Sequence, residues 1–88
     1  MKDYFVKTFR GHQFEFSRVL ASSFDVWYHI LVNLNDVDVK YRMHTNKEGT
    51  WKITVARLPQ LLYSLEAEFN DLIKLNEKPL NPDHYRRS

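Results

Sequence analysis

The chain has no cysteine, two glycines and three prolines in 88 residues. The missing cysteine excludes disulfides and Cys-ligated zinc, so stability has to come from packing. Two glycines, Gly11 and Gly49, leave no glycine-rich loop for cradling a phosphate, which argues against P-loop or dinucleotide-binding chemistry. Long apolar runs are also missing. The longest uncharged apolar stretch, Val26 to Leu34, falls far short of the roughly 20 residues a membrane-spanning helix needs. The opening Met1-Lys2-Asp3-Tyr4-Phe5-Val6-Lys7 has no apolar run of signal-peptide length. The expectation is a soluble cytoplasmic protein with no membrane partner.

Aromatic residues are plentiful: 15% of the chain, as six Phe, five Tyr and two Trp. Each buries roughly 150–250 Å², which suits a chain with room for one domain and little interior. A hydrophobic fraction of 43% and a charged fraction of 27% are those of an ordinary globular domain. The net charge is +2, with the N-terminal part mildly basic and residues 59–78 mildly acidic. That asymmetry is too small to identify a nucleic-acid partner by itself.

The clearest local signal is a hairpin. Val26 to Leu34 leads into Asn35-Asp36, and Val37-Asp38-Val39-Lys40-Tyr41-Arg42-Met43-His44 follows. The second segment alternates apolar and polar, the period of a half-buried strand. Asn and Asp tolerate the positive φ angles of a tight two-residue turn. Pairing Leu34 with Val37 puts Val32 opposite Val39, Ile30 opposite Tyr41 and Tyr28 opposite Met43, apolar against apolar throughout. The other face then pairs Asn33 with Asp38, Leu31 with Lys40, His29 with Arg42 and Trp27 with His44. A one-residue slip would scramble both faces.

Asn46-Lys47-Glu48-Gly49 reads as a second turn closed by a left-handed glycine. It pairs Thr45 with Trp51, Met43 with Ile53 and Tyr41 with Val55. The result is a meander over 26–34, 37–45 and 50–56. Upstream, Tyr4–Phe9 and Phe14–Leu20 have strand composition around a turn near Arg10-Gly11-His12-Gln13. Their register is ambiguous: either Phe5 and Phe9, or Tyr4 and Val6, face inward. Whether this hairpin extends the sheet or closes a partial barrel is open at this level.

Pro59 marks a helix start, at the first-turn position that tolerates a missing N–H. Leu58, Leu61, Leu62, Leu65, Phe69, Leu72, Ile73 and Asn76 follow helical spacing, so one stripe covers one side of the sheet. Asn70 falls largely on another face, and Glu66 and Glu68 flank the stripe as solvated groups. Pro79 and Pro82 end the helix. The expected organisation is a single α+β domain over residues 1–78: an antiparallel meander of about five strands with a C-terminal amphipathic helix on one face. A disordered tail is expected over 79–88. The inner set Tyr28, Ile30, Val32, Val39, Tyr41, Met43, Trp51, Ile53 and Val55 should face Leu61, Leu65, Phe69 and Leu72.

Catalytic patterns are weak. Glu66 and Glu68 diverge by about 200° on a helix, and no serine has nucleophile-elbow context. His29 and His44 are diagonal neighbours, but Arg42 and Lys52 beside them oppose a divalent metal. The expectations are therefore no enzyme, no cofactor and no metal. The surface of interest is the outer sheet face, with Trp27, His29, Leu31, Lys40, Arg42, His44 and Lys52. Trp27 and Leu31 there, or an unprotected sheet edge, suit a protein partner or a second copy of the chain. Basic groups interleaved with an aromatic suit single-stranded nucleic acid as the alternative. A meander followed by one helix occurs in many unrelated small proteins and carries little functional weight.

Overall fold

The computed structural model describes residues 1–22, 25–55 and 57–78. Five antiparallel strands form one open sheet in chain order: β1 (Tyr4–Phe9), β2 (His12–Ser22), β3 (Asp25–Leu34), β4 (Val37–Thr45) and β5 (Trp51–Ile53). Two helical segments follow, α1 (Gln60–Ser64) and α2 (Glu66–Glu77). The α+β architecture is the one the sequence pattern predicts. The expected tail, 79–88, lies outside the described residues.

The β3–β4 register follows from turn chemistry and side-chain pattern together. Leu34 pairs with Val37, Val32 with Val39, Ile30 with Tyr41 and Tyr28 with Met43. Asn35 and Asp36 both have positive φ, 52° and 67°, as a two-residue hairpin turn requires. Asn46 organises the next turn by accepting the N–H groups of Glu48 and Thr50 through Oδ1 at 2.9 and 3.0 Å. Gly49 supplies its positive φ of 82°. β5 then pairs Thr45 with Trp51 and Met43 with Ile53. It is shorter than the expected 50–56: after Ile53, Thr54 N–H still donates to the Arg42 carbonyl at 3.1 Å.

The N-terminal ambiguity resolves in favour of Phe5 and Phe9. Arg10 and Gly11 form another positive-φ turn, 53° and 79°, which pairs Phe9 with His12 and Phe5 with Phe16. Phe5 stacks on Phe16 with centroids 4.9 Å apart, and Phe9 meets Phe69 edge-on at 5.3 Å. Tyr4 and Val6 are exposed. Aromatic contact with the helix decides between two patterns that are equally alternating in sequence. The hairpin extends the sheet, since β1 pairs β2 and stands at the end of the strand order.

The core lies between the inner sheet face and the helices. Phe14, Phe16, Tyr28, Ile30, Val32, Tyr41, Met43 and Trp51 come from the sheet, and Leu62, Leu65, Phe69 and Ile73 from the helices. Val39, Ile53, Val55, Leu61 and Leu72 pack around them half-buried.

The helix differs from expectation in being broken. Ser64 Oγ donates to the Leu61 carbonyl at 2.6 Å, and Leu65 N–H closes an i→i−3 bond to Leu62 at 3.2 Å. Serine competing for a helix carbonyl tightens and bends the turn. Leu65, at the break, is buried, and α2 starts anew with Glu66 and Glu68 in its first turn. Pro59 is the residue before α1, not its first helical residue.

Candidate functional site

Alternation along antiparallel strands decides which backbone groups point where. Arg18 N–H donates to the Asp3 carbonyl at 2.8 Å, so Asp3–Arg18 is a hydrogen-bonded pair. The alternate pairs Phe5–Phe16, Lys7–Phe14 and Phe9–His12 then share that character. Tyr4, Val6 and Thr8 aim their N–H and C=O groups away from β2, toward the open side of the sheet. Among the described residues nothing pairs with these groups.

β5 forms the opposite edge, and by the same alternation Trp51, Ile53 and Val55 point away from β4. Here the helices close the edge. Trp51 N–H donates to Asn70 Oδ1 at 2.8 Å, Ile53 N–H to Glu66 Oε2 at 2.7 Å, and Tyr63 Oη–H donates to the Val55 carbonyl at 2.7 Å. The expectation that Glu66 is solvated is overturned, and Asn70, off the apolar stripe as expected, meets β5. Both lie on the flank of α2 that meets β5, one helical turn apart. Among the described residues, therefore, one edge has its outward N–H groups bonded by helix side chains and the other is open.

A groove runs beside the open edge. Lys2, Phe5, Val6, Lys7, Leu72 and Leu75 line about 300 Å³ between β1 and α2, with Asn76 at one end. Leu75 is 64% exposed and Val6 39%. Asn76 holds the N-terminal segment against the helix: its Oδ1 accepts Lys2 N–H and its Nδ2 donates to the Lys2 carbonyl, each at 3.0 Å. The same Nδ2 donates to Tyr28 Oη at 2.7 Å. Tyr28 Oη–H donates to Glu77, which also takes Arg18 Nε–H at 2.7 Å. Burial alone would raise the Glu77 pKa, but the bonds from Arg18 and Tyr28 outweigh it and hold the carboxyl below its ordinary range. This network fixes the groove's end to the sheet.

By strand alternation the seven residues expected to form the outer-face surface share that face, in two clusters that have Arg42 in common and with Lys52 apart from both. Trp27 and His44 stack at 4.2 Å, and the Arg42 guanidinium approaches the indole at 5.1 Å. Asp25, which sequence reasoning passed over, accepts from Trp27 Nε1 at 3.1 Å and bonds His44 Nε2 at 2.5 Å. These bonds, His44 first, lower the Asp25 pKa. His29, Leu31, Lys40 and Arg42 line a shallow depression of about 480 Å³, with Glu15 and Ser17 from β2. Lys52 stands apart from both, 3.7 Å from Glu66. The face carries both signs of charge. The His44 ring packs flat on the Trp27 indole, with Asp25 bonded to both side chains. Among the described residues no cluster of His, Asp and Glu has a metal-binding arrangement, and no helix is long and apolar enough to cross a membrane.

Comparison with protein-family models, curated proteins and solved structures returns no match.

Proposed function

We propose that this chain is a protein-interaction domain that takes an extended segment of its partner as a sixth strand along β1. The reading rests on the asymmetry of the two edges. Asn70 and Glu66 take the outward N–H groups of β5 and Tyr63 the Val55 carbonyl just beyond it, while Tyr4, Val6 and Thr8 present a ladder that is unpaired among the described residues, beside an apolar groove. Strand addition uses those elements in combination: main-chain bonds supply affinity, and a groove for alternate side chains supplies specificity. A cavity of about 300 Å³ is at the lower limit for small-molecule sites and suits side chains of an added strand. The domain is non-enzymatic in this reading.

Single-stranded nucleic acid on the outer face is the second reading, supported by Lys40 and Arg42. Two observations weigh against it. The Trp27 ring that would stack a base is already stacked by His44, and Asp25 and Glu15 place carboxylates on the same face.

The test is a titration of the full chain with end-blocked eight-residue peptides of alternating character, one acidic, one neutral and one basic. Strand addition predicts slowed amide exchange at Tyr4, Val6 and Thr8 with at least one of them. It also predicts loss of that protection in Val6→Pro. Proline is tolerated where an edge N–H faces outward, so β1 keeps its pairing with β2 while losing its central outward donor. Absence of protection with all three peptides would reject the reading.

A further inference from the structure

We infer that the strand received at β1 is acidic, with a carboxylate two positions from an apolar residue; this rests on the strand-addition reading above. Side chains of an added strand alternate in step with those of β1. Positions opposite Tyr4, Val6 and Thr8 point to the outer face. Positions opposite Phe5 and Lys7 point into the groove. The site beside Phe5 is walled by Leu72 and Leu75 and accepts an apolar side chain. The next inward site, two residues along, meets Lys7.

Charge fixes the second requirement. Lys2 and Lys7 both line the groove, and none of its lining residues is acidic. Among the described residues neither lysine takes part in an ion pair, whereas the cations Arg18 and Lys52 do. An inward-facing lysine on an edge strand discourages indiscriminate pairing. The same charge selects among partners, since it repels a basic strand and is neutralised by an acidic one. It also disfavours a second copy of this chain, because pairing β1 with β1 would gather Lys2 and Lys7 of both copies along one seam. An acidic extended segment of another protein is the occupant the groove fits.

The peptides of the test above separate this inference from the reading beneath it. The acidic probe is Thr-Leu-Thr-Glu-Thr-Leu-Thr-Glu, and the others replace Glu with Gln or Lys. The acidic probe should bind about tenfold or more tightly than the neutral one, a difference of roughly 1.4 kcal/mol, and weaken as salt shortens the Debye length below about 10 Å. Lys7→Glu should reverse the order, so that the Lys probe binds best. This exposed exchange leaves the core intact, and the reversal is a gain of binding that misfolding cannot mimic. Equal protection of Tyr4, Val6 and Thr8 by all three probes would overturn the acidic preference while leaving strand addition standing. No protection by any probe would overturn both. Slow exchange of those amides in the free protein, appearing only at high concentration with dimer formation, would assign the edge to a second copy and overturn the inference.

Discussion

The Asn70 side chain accepts the backbone N–H of Trp51 at 2.8 Å, closing the β5 edge with a residue 19 positions further along the chain. Glu66, one helical turn earlier, does the same for Ile53. One flank of α2 acts as a substitute strand for β5, while its other flank leaves β1 open. Asn70→Ala should cost about 1 kcal/mol, the usual net worth of one hydrogen bond, and speed amide exchange at Trp51 specifically. Glu66→Gln keeps an acceptor oxygen and should leave Ile53 protected, whereas Glu66→Ala should not. Denaturant melts combined with residue-resolved exchange check all three.

Tyr41 carries a cost inside the core. Its ring is 3% exposed and its hydroxyl has no hydrogen-bond partner among the described residues; burial drives its pKa far upward. A buried hydroxyl without a partner is destabilising. Tyr41→Phe should therefore raise stability by about 1 kcal/mol in a urea titration. Destabilisation on removing the hydroxyl would show that the group is satisfied in solution.

The Arg18–Glu77 pair links stability to pH. Glu77 has its pKa lowered from an ordinary 4.5. A carboxyl of this kind adds stability that is fully present above the unfolded-state pKa and lost as pH falls through the lower folded value. Stability should thus decline as pH is lowered below about 4.5. Glu77→Gln should flatten that acid limb and cost about 2 kcal/mol at neutral pH, as expected for losing a charge-assisted bond. Melting at a series of pH values for both proteins reads the difference.

The β3–β4 turn leaves room for improvement. Asp36 has a φ of 67°, where an L residue is strained and glycine is at ease. Asp36→Gly should stabilise the fold by roughly 0.5–1 kcal/mol and Asp36→Val should destabilise it. Thermal melts decide the sign of each.

Most of the sheet is legible in the sequence because two constraints agree there. Asn35-Asp36 and Asn46–Gly49 set turns of fixed length, and only one register through them matches apolar with apolar. The β1 register was not legible, since Phe5/Phe9 and Tyr4/Val6 alternate equally well. Contact with Phe16 and Phe69, far away in sequence, separates them. The sealing roles of Glu66 and Asn70 follow from how α2 crosses the sheet, which periodicity does not encode. Their i, i+4 spacing beside the apolar stripe was the available signal. Leu75 stands off the buried stripe, where periodicity does not single it out, and its exposure beside β1 gives the groove an apolar wall. Register assigns the outer-face residues to one side of the sheet, but Asp25 and the Trp27–His44 stack depend on side-chain geometry that register alone does not supply.

Residue-resolved amide exchange in the free, monomeric protein measures the difference between the two sheet edges directly. Tyr4, Val6 and Thr8 should exchange rapidly, alternating with slow Phe5, Lys7 and Phe9, while Trp51 and Ile53 at the opposite edge should be slow. Protection of Tyr4, Val6 and Thr8 in the free monomer, or rapid exchange at Trp51 and Ile53, would contradict it.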